Sequence, residues 1–206
     1  MSDRKSMPPS RHNWAELVTG LSQAVLRAEK VLAGAFMTLL LGLILLNVVT
    51  RFARMPLYWV DEASIFTMVW LAFIGASVMT RLRVDFAVTL LSDSLPQPAV
   101  RVLRAVATAV SLCFGIGLAV MCWNWLDPLG IAGAGFDASA YAAKTFNFLY
   151  TEHSQTLEWP NWVLYLILPV FSLTLSLHLF ANLLEDLGLA APRVQSGLSN
   201  TAEGAA

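Results

Sequence analysis

Residues 31–50 read VLAGAFMTLLLGLILLNVVT, twenty consecutive positions without Asp, Glu, Lys or Arg. An α-helix rises about 1.5 Å per residue, so about twenty apolar residues cross the ~30 Å hydrocarbon core of a bilayer. One charge at the centre of such a helix would cost roughly 2.5–3.5 kcal/mol. Three more uncharged runs follow, at residues 63–80, 105–126 and 161–184. The sequence therefore predicts an all-α integral membrane protein with four transmembrane helices.

The composition leaves little room for a soluble domain. Hydrophobic residues make up 57% of the chain and charged residues 13%, whereas soluble domains have about 25% charged residues. The net charge is −1 and no basic tract indicates nucleic-acid binding. We expect a cytoplasmic amphipathic arm at 1–30, a transmembrane domain at 31–184 with an outer loop at 127–160, and a cytoplasmic tail at 185–206. The first run is too long for a signal-peptide core, so we expect it to persist as a helix.

The positions of Lys and Arg predict the orientation. Ten of the thirteen lie in the arm, the second inter-helix loop or the tail, and three lie in the first loop or the outer loop. Because cytoplasmic loops carry the excess of positive residues, both termini are expected in the cytoplasm. Trp70 lies well inside the second run and is expected to face lipid or a neighbouring helix. The other aromatic residues agree with this orientation by falling at predicted outer helix ends: Tyr58, Trp59, Trp123, Trp125, Trp159 and Trp162.

Three local features refine this layout. Residues 14–28 have apolar side chains at helical spacing, which predicts an amphipathic helix along the cytoplasmic interface. The alternative is a straight extension of the first transmembrane helix. Residues 86–95 are mostly apolar and end before Pro96, so a short interfacial helix is expected there too. Pro169 is expected to kink the fourth helix.

Chemically reactive groups are sparse inside the apolar runs. Of the three histidines only His178 lies within a run, so a haem lacks facing axial ligands, and we interpret His178 as a polar residue near the cytoplasmic helix end. Cys113 and Cys122 lie on opposite faces of one helix and cannot pair. No nucleophile–base, metal-ligand or phosphate-loop spacing is found. We therefore expect no enzyme, catalytic residue, cofactor or metal site.

The absence of charge within the runs also argues against an independent pump or channel, in which buried ionisable groups mark the pathway. A subunit that works beside a larger membrane partner fits better. The membrane anchor of a redox enzyme and a stand-alone four-helix carrier are the alternatives.

Small residues recur every four positions in all four runs. Such ridges let membrane helices approach closely, either within one bundle or against another subunit. The sequence leaves both possibilities open. The ridges are Gly34, Thr38 and Gly42; Ala72 and Ala76 around Gly75; Ala107, Ser111, Gly115 and Ala119; and Ser172 with Ser176.

Charged residues cluster around the first outer loop. Asp61 and Glu62 immediately precede the second run, and Arg51 and Arg54 follow the first. Carboxylates at a helix N-terminus are favoured by the helix dipole. The cluster therefore indicates helix capping with snorkelling arginines, or a structural ion pair or contact with another protein.

The ordered set of motifs resembles the small membrane subunit of tripartite ATP-independent periplasmic (TRAP) transporters, the DctQ-like family. The resemblance covers roughly residues 30–185. It is carried by Arg51–Phe52, Trp59 with Asp61 and Glu62, WLAFIGAS at 70–77, Arg81 and Arg83, LL at 90–91, LP at 95–96, LEWPNW at 157–162 and LP at 168–169.

The resemblance implies a small permease subunit in the bacterial inner membrane. Such a subunit scaffolds a large multi-helix permease subunit and helps a periplasmic solute-binding protein to dock, for ion-gradient-driven uptake (symport) of an organic acid. It also implies that Glu62 matters more than Asp61. The candidate structural and partner-contact residues are Arg51, Trp59, Asp61, Glu62, Gly75, Ala76, Arg81, Pro160, Tyr141 and Phe148.

The last two candidates come from the outer loop. Residues 130–135 read GIAGAG and are expected to be flexible, after which Asp137 can cap a helix running toward Tyr150. Tyr141 and Phe148 would share an exposed face with Thr145 and contact the binding protein. The alternative is a helix that lies on lipid.

Overall fold

The computed structural model describes residues 13–83 and 97–191. Every element in these ranges is helical, and four stretches are long and apolar enough to cross a membrane. The predicted all-α membrane fold is therefore confirmed. The helices are α1 (Asn13–Phe52), α2 (Tyr58–Leu82), α3 (Gln97–Leu126), α4 (Pro128–Gly133), α5 (Ala138–Thr145), α6 (Asn161–Tyr165) and α7 (Ile167–Asp186).

The amphipathic arm does not form a separate helix. It continues into the first transmembrane helix, so that α1 has 40 residues and a length of about 60 Å, roughly twice the hydrocarbon core. The expected interfacial helix is thus replaced by the alternative, a straight extension. The physical reason is packing of the arm on the end of α7, where Ala15 is buried in a cluster with Leu184 and Ala190.

The arm also turns a different face inward than its hydrophobic pattern suggests. Its small and polar side, Ala15, Thr19 and Ser22, is buried, whereas Leu17 and Leu21 are exposed. Small side chains permit a closer approach to α7, so packing selects them over the larger apolar residues. The other predicted interfacial helix, at 86–95, lies outside the described residues, as does the tail beyond 191.

The long helices pack around α7, which contacts α1, α2 and α3, while α1 also packs along α2. The close approach of α3 to α7 occurs at Gly115, where a Cβ atom would lie 3.0 Å from Ser176 Oγ. Gly115 and Ser176, one from each small-residue ridge, therefore serve packing within the chain. By contrast, a Cβ atom at Gly34 or Gly42 of α1 would have no neighbouring atom of another residue within 4 Å.

The fourth predicted span is interrupted near its outer end. Helix α6 ends at Tyr165 and α7 begins at Ile167, with Leu166 between them. Pro169 has no N–H to donate to the carbonyl four residues earlier, so the helical ladder breaks there. The helix is thus interrupted three residues before the proline, and the kink expected at Pro169 stays a prediction.

The outer loop is folded rather than flexible at its start. Pro128 occupies the first turn of α4 and Asp127 accepts a hydrogen bond from Gly130 N at 3.0 Å, so the glycine-rich stretch becomes a capped helical turn. The expected flexibility was wrong. Asp137 caps α5 as predicted, accepting from Ser139 N and Ala140 N at 3.0 Å each. Helix α5 then ends at Thr145, short of Tyr150.

Candidate functional site: a latched outer loop and a buried polar core

An ion pair joins the outer ends of α1 and α2. Arg51 Nη2 lies 2.9 Å from Asp61 Oδ2, and Asn47 donates to Asp61 while accepting from Arg51 Nε at 2.9 Å. The sequence left open whether these charged residues cap the helix or form a structural ion pair. For Asp61 the structure shows the ion pair. The Arg51 and Asp61 side chains are 61% and 43% exposed, so the pair contributes only ~0–1 kcal/mol.

Glu62 holds the outer loop instead of capping its own helix. Its carboxylate accepts hydrogen bonds from Gln155 N at 3.0 Å, Thr156 N at 2.7 Å and Leu157 N at 2.9 Å. The hydroxyl of Thr156 donates to it as well, at 2.5 Å. Successive backbone N–H groups around one carboxylate form an anion-binding nest. We call this contact the Glu62 latch.

A second set of contacts fixes the loop on the end of α3. The Tyr141 hydroxyl donates to Asp127 Oδ2 at 2.9 Å, the Tyr150 hydroxyl donates to the carbonyl of Leu126, and Asn147 Nδ2 donates to the carbonyl of Trp125 at 2.8 Å. Burial, and then the hydrogen bond to Asp127, raises the pKa of Tyr141 above its ordinary value. The tyrosine is only 3% exposed.

Tyr141 is therefore a structural residue of the loop, and its expected place on an exposed face was wrong. Its ring meets Tyr150 edge-on, with centroids 5.8 Å apart, so α5 turns this face inward against the end of the bundle. Phe148 is exposed as expected. Together with Phe146 it lines a shallow depression that also contains Trp125.

Two exposed phenylalanines of the loop adopt left-handed backbone conformations. Phe136 has φ 62° and Phe146 has φ 58°, and both side chains are more than three-quarters exposed. Bulky residues rarely adopt positive φ, and such strain clusters at functional sites. The loop thus presents aromatic side chains outward from a fixed base.

A buried polar cluster ties the arm to α2 and α7 at the other end of the bundle. His178 bonds to Ser22 Oγ at 2.8 Å through Nδ1 and to Glu29 Oε2 at 2.9 Å through Nε2. Ser77 donates to Glu29 Oε1 at 2.7 Å and contacts the Thr174 hydroxyl at 2.9 Å. Three long helices are therefore cross-linked by one network.

A second buried cluster surrounds Arg81. Its guanidinium donates to Asn182 Oδ1 at 2.5 Å and pairs with Glu185 Oε1 at 2.6 Å, with Arg81 fully buried and the Glu185 side chain 4% exposed. Arg83 lies beside it, pairing with Asp186 Oδ1 at 2.6 Å and with Glu185 Oε2 at 3.6 Å. These contacts fix the end of α2 on the end of α7.

The remaining candidates lie apart from these clusters. A Cβ atom at Gly75 would have no neighbouring atom within 4 Å, and Ala76 is exposed. Both residues therefore leave space on the surface of α2 for another helix. Pro160 precedes α6 and its carbonyl accepts from Val163 N at 3.1 Å. Trp59 is 40% exposed near the outer end of α2.

Sequence reasoning missed the partners of His178, since Ser22, Glu29 and Ser77 were not grouped with it. The available indication was that polar residues stand near corresponding ends of three predicted helices. It did not say which of them face each other. Within residues 13–83 and 97–191, no group of three or more His, Cys, Asp or Glu side chains is placed to hold a metal ion.

Comparison with models of known protein families gives a match. The model of the family described as tripartite ATP-independent periplasmic transporters, DctQ component, matches residues 40–189. No curated protein and no solved structure matches the chain. The matched region contains the Glu62 latch, the Arg81 cluster and the whole outer loop, and it covers well over half of the 206 residues. The chain therefore belongs to the DctQ family, the small permease component of TRAP transporters.

Proposed function

We propose that this chain is a scaffold for the large permease subunit of its transporter and helps to receive the solute-binding protein. The observation that carries the scaffold role is the open ridge of α1. Gly34 and Gly42 have no neighbour where a Cβ would stand, and Thr38 between them is exposed. Such a ridge lets another helix approach closely within the bilayer.

The surroundings of the ridge support the same role. Large apolar side chains are exposed along the transmembrane part of α1, among them Met37, Leu41 and Leu45. Lipid tails are as apolar as these side chains, so association there depends on close packing, which the glycines allow. Gly75 and Ala76 offer a second open stretch on α2.

The docking role is supported by the outer loop. The Glu62 latch and the Tyr141 contacts hold the loop in one conformation, while Phe146 and Phe148 remain exposed. A fixed surface loses little conformational entropy on binding, so a binding protein can dock reversibly in each cycle. Among the loop's charged side chains Asp137, Glu152 and Glu158 are exposed beside one exposed Lys144, which suits a basic patch on the partner.

The orientation and substrate form the last part of the proposal. The excess of Lys and Arg on the arm side supports cytoplasmic termini in a bacterial inner membrane. The outer loop then faces the periplasm, where a binding protein delivers its solute. We expect the transporter to take up an organic acid by symport driven by an ion gradient.

The scaffold role is tested by filling the α1 ridge. The double substitution Gly34→Leu with Gly42→Leu places side chains in open space, so the chain itself should fold, as shown by continued protection of the buried Cys122 thiol. Co-purification with the large subunit should be lost, because the two helices can no longer approach. Gly117→Leu is the matched control, since Gly117 of α3 is also open. Normal co-purification of the double variant would contradict the proposal.

A further inference from the structure

An apolar groove lies between α1, α2, α6 and the end of the outer loop. It has a volume of about 470 Å³. Its floor includes Leu43, Thr67 and Leu164, which are buried, and its rim includes Leu39 and Trp59, which are 50% and 40% exposed. The groove therefore opens sideways, toward the lipid-facing surface of the bundle.

The depth of the groove corresponds to one leaflet. Its outer mouth is lined by Trp59 and Trp159, and its inner end by Phe36 and Trp70, whose rings stack with centroids 5.7 Å apart. Trp59 and Trp70 are eleven residues apart on α2, which is about 16 Å along a helix. Half of a ~30 Å hydrocarbon core is about 15 Å.

The chemistry of the lining excludes a polar occupant. The Thr67 hydroxyl donates to the carbonyl of Ala63 at 2.7 Å, and Trp70 Nε1 donates to the carbonyl of Leu164 at 2.9 Å. These polar groups are already satisfied within the chain, and the lining contains no charged side chain. An organic acid or a cation would lose its hydration there without compensation. A hydrocarbon chain has no hydration shell to lose when it moves from the bilayer into the groove.

We propose that this groove binds one acyl chain of a phospholipid from the outer leaflet. The chain would run from the level of the two mouth tryptophans to the stacked pair at mid-bilayer. An exposed guanidinium, that of Arg54, stands just beyond α1 at this end of the bundle and matches the charge of a lipid phosphate.

The site would also connect lipid binding to the outer loop. Leu157 lines the mouth of the groove, and its backbone N–H is one of the donors held by the Glu62 latch. A bound acyl chain would therefore pack against the same segment that the latch fixes, and would support the loop from the membrane side.

The test uses the complex of this chain with its large subunit, in membranes that contain a phospholipid with a photoreactive diazirine in the middle of one acyl chain. Mass spectrometry of cross-linked peptides should find label at Phe36, Thr67 or Trp70 in excess of label at Met68, an exposed residue of α2 that reports on bulk lipid. Equal or lower labelling in the groove would overturn the proposal.

Two variants separate binding from general lipid contact. Ala63→Phe fills the groove and should abolish the groove label. Ile116→Phe is the control and should retain it, because Ile116 lies on α3, which does not line the groove, and is exposed. Unchanged labelling in Ala63→Phe would contradict the proposal.

A second measurement does not depend on the Ala63 variant folding. p-Benzoylphenylalanine at residue 36 should cross-link to phospholipid in the otherwise unchanged complex. A cross-link to the large subunit, or to a second copy of this chain, would show that protein occupies the groove and would overturn the lipid assignment.

Discussion

Replacement of Arg81 by Met should destabilise the bundle more than any single change in an exposed ion pair. The substitution removes the hydrogen bonds to Asn182 and Glu185 and leaves the Glu185 carboxylate, 4% exposed, with Arg83 at 3.6 Å as a partner. Breaking a buried pair by removing one partner costs about 3–5 kcal/mol. At about 2–4 °C per kcal/mol for a chain of this size, the apparent Tm should fall by roughly 6–20 °C.

The matched control is Arg83→Met, which changes the neighbouring arginine of the same cluster. Arg83 has a side chain 25% exposed, so we expect a smaller loss of about 1–2 kcal/mol, between the values for exposed and buried pairs. The double variant Arg81→Met with Glu185→Leu removes both buried charges. It should recover most of the stability lost by Arg81→Met, because an apolar pair can replace a buried ion pair at little cost.

The assay follows thermal unfolding of the purified complex with a thiol-reactive fluorophore. Cys122 is buried and Cys113 exposed, so a complex in which Cys122 is the sole cysteine reports exposure of the α3–α7 packing. Equal small shifts for Arg81→Met and Arg83→Met would refute the reasoning, because the burial of Arg81 would then have no energetic consequence. A double variant as unstable as Arg81→Met would refute the role assigned to the buried Glu185 carboxylate.

Two further predictions concern the outer side of the protein. Glu62→Gln should speed hydrogen–deuterium exchange at residues 155–157 and raise the half-saturating concentration of binding protein in transport, because the amide keeps only one acceptor oxygen for the loop. Asp61→Asn is the control, since Asp61 pairs with Arg51 and not with the loop, and equal behaviour of the two would leave the latch without a role. Cysteine labelling at residue 155, which is exposed, should occur from outside intact cells, and labelling at the exposed residue 24 should not. The reverse pattern would overturn the proposed orientation.

The sequence by itself determined the features that depend on a few neighbouring residues. Uncharged runs of about twenty residues dictate four membrane helices, because the cost of inserting a charge is large compared with other local preferences. Asp137 caps α5 because its side chain reaches the backbone N–H groups two and three positions ahead. Pro169 interrupts the last span because it lacks an N–H. These outcomes need no information about the rest of the fold.

Only the tertiary structure decided which side of each helix is used. The spacing of Trp14, Leu17 and Leu21 marks an apolar side of the arm, but all three are exposed while small residues pack on α7. Glu62 could cap its helix or bind elsewhere, and its partners lie more than ninety residues away.

The same is true of the buried network, in which Ser22 and Glu29 meet His178 across about 150 positions of the chain. Helix–helix packing in a bilayer is set by close steric fit and by hydrogen bonds between helices. Several rotations of a helix bury similar apolar area, so hydropathy does not distinguish between them. The rotation of each helix that brings these buried polar side chains together is fixed only when all four helices are in place.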